Sequence, residues 1–158
     1  MKKILVFCLF ISLIWGFNLT NIYALEDDVY NTNIYIEEKF EDGSYIEVIT
    51  EQFANSVRSS TVSGSKTKNY KDTKGDIIWS FKVVGKFTYT GQSATCTSSV
   101  ISSTCNASNW KLSNQKATKS GATAKASITA KEYTFLGICA KTVNSTVTLT
   151  CSANGNLS

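Results

Sequence analysis

The chain has 158 residues, 16 basic and 12 acidic side chains, no histidine, no proline and a formal net charge of +4 at pH 7. The missing histidine excludes the Ser–His and Cys–His catalytic arrangements and every histidine-ligated metal site. The length suits one domain with a modest core.

The first residues predict a signal peptide over 1–24. Met1-Lys2-Lys3 is the positive start, Ile4 to Phe17 the apolar core, and Ile22-Tyr23-Ala24 the cleavage site. This fourteen-residue core falls short of the ~20 residues that a membrane span needs. Cys8 lies inside this core, so the mature chain carries four cysteines. The closing LTCSANGNLS has no apolar run. The expected destination is secretion, with either release into the extracellular medium or loose retention at the cell wall.

The remaining charge is split. Residues 25–54 hold nine acids against Lys39, whereas residues 55–158 hold thirteen basic residues against Asp72, Asp76 and Glu132. An acidic lead therefore precedes a basic body. In the lead, Asn33 to Phe40 and Tyr45 to Thr50 flank Glu41-Asp42-Gly43-Ser44, which predicts a hairpin turning at Asp42-Gly43. A two-residue loop there would oppose Glu38 to Glu47, an unfavourable pair. Ser and Thr dominate the stretch before residue 65, which predicts a linker. The expected division is a signal peptide (1–24), an acidic hairpin or flexible arm with its linker (25–60), and a sandwich domain (61–158).

The body begins with a predicted strand from Ser65 to Lys71 and a turn at Asp72-Thr73-Lys74-Gly75. The run Ile77 to Tyr89 alternates Ile, Trp, Phe, Val, Gly, Phe and Tyr with mostly polar residues, the period of a half-buried strand. Gly85 is the predicted kink, dividing it into 76–84 and 86–90. Ser93 to Thr97 follows as a strand, with the Ser/Thr-rich 98–104 as a loop. Asn109 to Ala117 is next. Then Ala122 to Ala130 places alanines and Ile128 on one face, with a bulge expected at Lys131-Glu132 that turns Tyr133 and Phe135 inward. Val143 to Cys151 closes the set. The fold class is all-β, an antiparallel β-sandwich that is immunoglobulin-like in architecture. The order Trp79, Cys96, Cys151 departs from the Cys–Trp–Cys order of true immunoglobulin domains.

Cys96, Cys105, Cys139 and Cys151 predict two disulfides in an exported chain. Three connectivities are open. Strand parity favours Cys96–Cys151, leaving the loop positions Cys105 and Cys139 as the second pair. No CxxC is present, and neither a metal nor a cofactor is expected. Four Ser-x-x-Lys matches fit chance in a Ser- and Lys-rich chain, and nothing pairs Asp72, Asp76 and Glu132 for glycosidase work. No enzyme is expected.

Trp110, beside Lys111, is the aromatic with polar neighbours that suits ligand stacking, although core burial is the commoner fate of such a residue. The body lysines could form a basic face toward cell-wall polymer, acidic glycan or anionic lipid. Nucleic acid is disfavoured by export, and a host or bacterial surface protein is a further partner class. Oligomeric state is open.

The segments IIWSFKVVGKFTYTGQSATC, NWKLSNQKATKSGATAKASITAK and TVTLTCSANGNLS resemble those of small exported proteins of Firmicutes, clostridia-like bacteria above all. The resemblance covers residues 62–158 and implies a secreted β domain of unassigned function. It carries over no catalytic residue and sets Cys105 and Cys139 apart as an extra pair. The function expected is a secreted, disulfide-stabilised, non-catalytic binding or cell-surface interaction module. The alternative is a membrane-active or bacteriocin-like effector masked by the acidic arm.

Overall fold

The computed structural model describes residues 29–53 and 60–158; the predicted signal peptide, its cleavage site and Arg58 lie outside them. Eight strands are present among the described residues. They are β1 (Val29–Lys39), β2 (Tyr45–Phe53), β3 (Thr61–Lys71), β4 (Ile77–Tyr89), β5 (Ala94–Cys105), β6 (Trp110–Ser120), β7 (Thr123–Tyr133) and β8 (Cys139–Thr150). Sheet A runs β1-β2-β3-β4-β5 and sheet B runs β6-β7-β8, with every pairing antiparallel. The expected antiparallel sandwich is thus formed. Its path is a meander within each sheet, every strand pairing with its sequence neighbours there, and the chain changes sheet once, between β5 and β6. This is not the Greek key of an immunoglobulin domain.

The two-residue rhythm of β4 sets the core. Trp79, Phe81, Val83 and Phe87 are buried, while Lys82 and Lys86 are exposed. Ala124, Ala126, Ile128 and Ala130 of β7 form the opposing floor, joined by Val147 and Leu149 of β8. Small side chains on β7 let sheet B approach the bulky row of β4. Full burial of each large side chain contributes roughly 1.5–3 kcal/mol.

Four expectations are corrected. Strand β4 does not break at Gly85, which pairs with Gly64 and Ser99 in an unbroken ladder. The irregularity falls on β5 instead, where Lys86 pairs with Ser98 and Phe87 with Cys96, leaving Thr97 as the extra residue. The Ser/Thr run 98–104 is strand, because β4 needs a backbone partner along its whole length. Phe135 does not turn inward: β7 ends at Tyr133, and Phe135 is 97% exposed.

The fourth correction concerns the arm. The predicted hairpin forms, but β2 pairs with β3 from Tyr45↔Lys71 to Gln52↔Gly64 and sends Ile46 and Val48 into the core. The acidic hairpin is therefore docked as part of sheet A; residues 54–59 of the expected linker lie outside the described residues. Its turn is closed by the Phe40 N–H donating to Ser44 O (2.8 Å) and the Gly43 N–H to Phe40 O (3.0 Å). The turn sets Lys39 opposite Tyr45 and Glu38 opposite Ile46, which avoids the Glu38–Glu47 opposition, and an irregularity at Glu37 then places Ile36 rather than Glu37 opposite Glu47. Each ion pair among the described residues joins an acid of 29–53 to a body lysine: Glu37 to Lys68, Glu47 to Lys71 (2.9 Å) and Asp42 to Lys141 (2.9 Å).

Candidate functional site

The outer face of sheet B follows from register. Its cross-strand rows are Lys111–Lys131–Thr142, Ser113–Thr129–Asn144, Lys116–Ser127–Thr146, Thr118–Lys125–Thr148 and Ser120–Thr123–Thr150. Lysines, hydroxyl residues and one amide line it. The rows hold no carboxylate and no large apolar side chain. Lys111 and Lys116 would point to opposite faces of a regular strand. The bulge between Ser113 and Lys116, with Asn114 at φ 52°, brings both to this face. Asn114 Nδ2 donates to Thr129 Oγ1 (3.3 Å), which donates to Asn144 Oδ1 (2.9 Å). Among the described residues no ion pair engages Lys111, Lys116, Lys125 or Lys131. Lys111 and Lys131 stand directly opposite, a like-charge pairing that favours a bound anion.

A second feature lies at the end of the sandwich formed by the β1–β2, β3–β4, β5–β6 and β7–β8 turns. A cavity of 280 Å³ there is lined in part by Asp42, Tyr70, Asp72, Asn109, Trp110 and Glu132. Tyr70 stacks on Trp79 with centroids 5.1 Å apart and planes 7° from parallel, and Trp110 tilts against both. Each carboxylate has a local partner. Asp72 Oδ1 accepts from the N–H groups of Lys74 and Asp76, both at 2.9 Å, and Glu132 accepts from Asn109 Nδ2 (3.2 Å). Asp42 accepts from Ser44 and Lys141, bonds that draw its pKa down to about 2. Burial alone would lower the Lys141 pKa, but bonds to Tyr70 and Asp42 outweigh it and hold the ammonium above its usual value. No group of three or more Cys, Asp or Glu able to hold a metal occurs among the described residues.

Trp110 and Lys111 are adjacent but divided between the two features. Trp110 is 6% exposed, packed on Tyr70 and Trp79, and offers the cavity only part of its wall. Lys111 is exposed on the outer face of sheet B, its Nζ 5.3 Å from the Tyr133 ring centroid. The stacking role expected of Trp110 is already occupied by protein aromatics.

All four cysteines are free thiols, so neither expected disulfide is present. Cys96 and Cys151 are nonetheless neighbours: their N–H groups donate to the adjacent carbonyls of Gly121 (2.7 Å) and Ala122 (2.9 Å). Burial pushes both thiol pKa values up, and the charge on Cys96 adds to the shift at Cys151. Cys105 and Cys139 are apart. The Cys105 thiol donates to the Trp110 carbonyl at the start of β6, whereas Cys139 sits on β8 beyond Tyr133 of β7. A strand thus stands between them. Adjacent strands are ~4.8 Å apart, and a bridge needs Cα atoms within about 7 Å.

Sequence reasoning missed the β7–β8 turn, where Phe135, Leu136 and Ile138 are 97%, 69% and 62% exposed. The signal was the uncharged run TFLGIC around Gly137, a turn glycine with φ +79°. No protein-family model, curated protein or solved structure matches the chain.

Proposed function

We propose that the protein is an exported, non-catalytic binding module that takes an anionic polymer along the outer face of sheet B. One observation carries the reading: Lys111, Lys116, Lys125 and Lys131 share a flat face whose rows hold hydroxyl and amide side chains and no acid. From Lys131 to Lys125 the face runs roughly 20 Å, the length of six strand residues. Lysines at that spacing attract repeating phosphates or sulfates, and the hydroxyls between them can donate to the same oxygens or to sugar hydroxyls. A phosphate-bearing cell-wall glycopolymer has this chemistry, which suits the signal-peptide-like leader. In an oxidising compartment Cys96 and Cys151 are the pair that would close.

The masked-effector alternative requires the acidic segment to come away. Removing it would strip β2 from β3 and expose Ile46 and Val48, so unmasking would cost the fold itself.

The test is binding to poly(glycerol phosphate), with a neutral polysaccharide as control. Charge reversal at Lys111 and Lys125 should weaken polymer binding at least ~10-fold, and added salt should weaken the wild type. Equal binding of both variant and wild type, or equal retention on the neutral chain, would remove the proposal.

A further inference from the structure

The β7–β8 turn is the most apolar exposed feature of the described surface. Phe135, Leu136 and Ile138 project from it at 97%, 69% and 62% exposure, and residues 133–140 carry no charge. The turn is held from within. The Thr134 N–H donates to Ile138 O (2.8 Å), the Gly137 N–H to Thr134 O (2.9 Å), and the Ile138 N–H to Thr134 Oγ1 (3.2 Å). These bonds satisfy backbone groups that would otherwise resist leaving water. Phe135 borders an open cavity of 530 Å³ together with Asn109, Glu132 and Tyr133, whereas Leu136 and Ile138 do not line it. Behind it, Tyr133 lies under Lys111, and Lys111 faces Lys131, so an aromatic ring and two ammonium groups border the apolar side chains. The acids at this end are Glu41, Asp42, Asp72 and Asp76 in the turns of sheet A, and Glu132 of β7. Glu132 lies in the cross-strand row of Trp110 rather than that of Lys111 and Lys131, and accepts a bond from Asn109.

We infer that this turn is a lipid anchor: Phe135, Leu136 and Ile138 enter the interfacial zone of an anionic bilayer while Lys111 and Lys131 rest against its headgroups. Apolar insertion with an aromatic and basic collar is the arrangement that binds proteins in the plane of a membrane interface. Charge selects the surface, because lysines near anionic lipid are attracted within about a Debye length, ~8 Å at physiological salt. The molecule approaches tilted, sheet B toward the lipid. The inference rests on the polymer-binding reading only for the role of Lys111 and Lys131; insertion of the tip stands apart from it.

The test uses residues 25–158 and sedimentation with vesicles of mixed phosphatidylglycerol and phosphatidylcholine, or of phosphatidylcholine alone. Wild type should sediment with the anionic vesicles. The triple change Phe135→Ser, Leu136→Ser, Ile138→Ser should weaken that binding about a hundredfold. The same variant should keep its melting temperature and its affinity for poly(glycerol phosphate). In a second measurement, Phe135→Trp should show a blue shift of tryptophan emission on adding anionic vesicles. Vesicle binding unchanged in the triple variant, or emission of the Phe135→Trp protein unmoved by vesicles, would overturn the anchor. Tip-dependent vesicle binding without polymer binding would sustain the anchor and overturn the polymer reading.

Discussion

Gly85 of β4 faces Ala124 of β7 so closely that a β-carbon on the glycine would stand 3.1 Å from Ala124 Cβ and 2.6 Å from Phe87 Cε2. The glycine serves sheet-to-sheet approach, not chain bending. Gly64, its cross-strand partner, plays the same part beneath Leu157, whose Cδ1 would lie 2.4 Å from an added β-carbon. Overpacking a close core contact costs typically ~1–3 kcal/mol. Gly85→Ala should therefore lower the urea midpoint clearly and Gly85→Val further, with m unchanged. A wild-type midpoint in Gly85→Ala would show that the sheets can part there at no cost.

Cys96 and Cys151 should form the one bridge in oxidised protein, with Cys105 and Cys139 still open to alkylation. Peptide mapping under non-reducing conditions reads this directly. Closing a loop of about 55 residues stabilises by roughly 4 kcal/mol on the chain-entropy account, which reduction should remove. The reduced form carries a pH signature. Burial raises both thiol pKa values above their unfolded value, so this stabilisation is complete below the usual thiol value of 9.0 and is lost as pH rises through the folded values. Cys96→Ser/Cys151→Ser should show a weaker alkaline decline.

Trp79 is fully buried and its Nε1–H has no hydrogen-bond partner among the described residues. An unmet buried donor costs about 1–3 kcal/mol. Trp79→Phe removes that donor while keeping a ring against Tyr70, so its net cost should stay below about 2 kcal/mol. Trp79→Ala should cost about 3–5 kcal/mol. Equal losses in the two variants, measured by chemical denaturation, would contradict this division.

The Asp42–Lys141 contact predicts an acid limb. Bonds from Ser44 and Lys141 draw the folded pKa of Asp42 from 3.8 to about 2. A depressed carboxylate contributes stability above its unfolded value and loses it as pH falls toward the folded one. The stability gap between wild type and Asp42→Asn should hold from neutral pH to about 4, then close toward pH 2. Lys141 behaves oppositely. Its raised pKa makes its contribution complete below 10.5, with loss only at higher pH.

What the chain made legible was what repeats every two residues. Ile77 to Tyr89 and Ala122 to Ala130 each announced a buried and a wet face, and both became core strands. Asp42-Gly43 announced a hairpin. Its destination was hidden, because Glu47 reads as a solvated charge until its partner Lys71 is known, 24 positions away. Serines at 98–104 look like a loop, since nothing local reveals that β4 needs their backbone. Half of the candidate face was in view as the alternating lysines and threonines of 123–131. Lys116 joined Lys111 only through a bulge at Asn114, where asparagine tolerates the positive φ but nothing in the local sequence requires it. Trp110 reads either way from its polar neighbours Asn109 and Lys111; its side chain packs against Tyr70 and Trp79, the core burial that is the commoner fate of such a residue.

The meander has a bearing on how such a chain is made. A polypeptide threading N-terminus first through a narrow channel meets its partners in the order they emerge, since β2 follows β1 and β3 follows β2. Short sequence separations keep loop-closure entropy small, the condition for quick assembly. Sheet A can thus be complete once Cys105 has passed, ready as a template when the alanine row of β7 arrives. No strand has to wait, unpaired and adhesive, for one still inside.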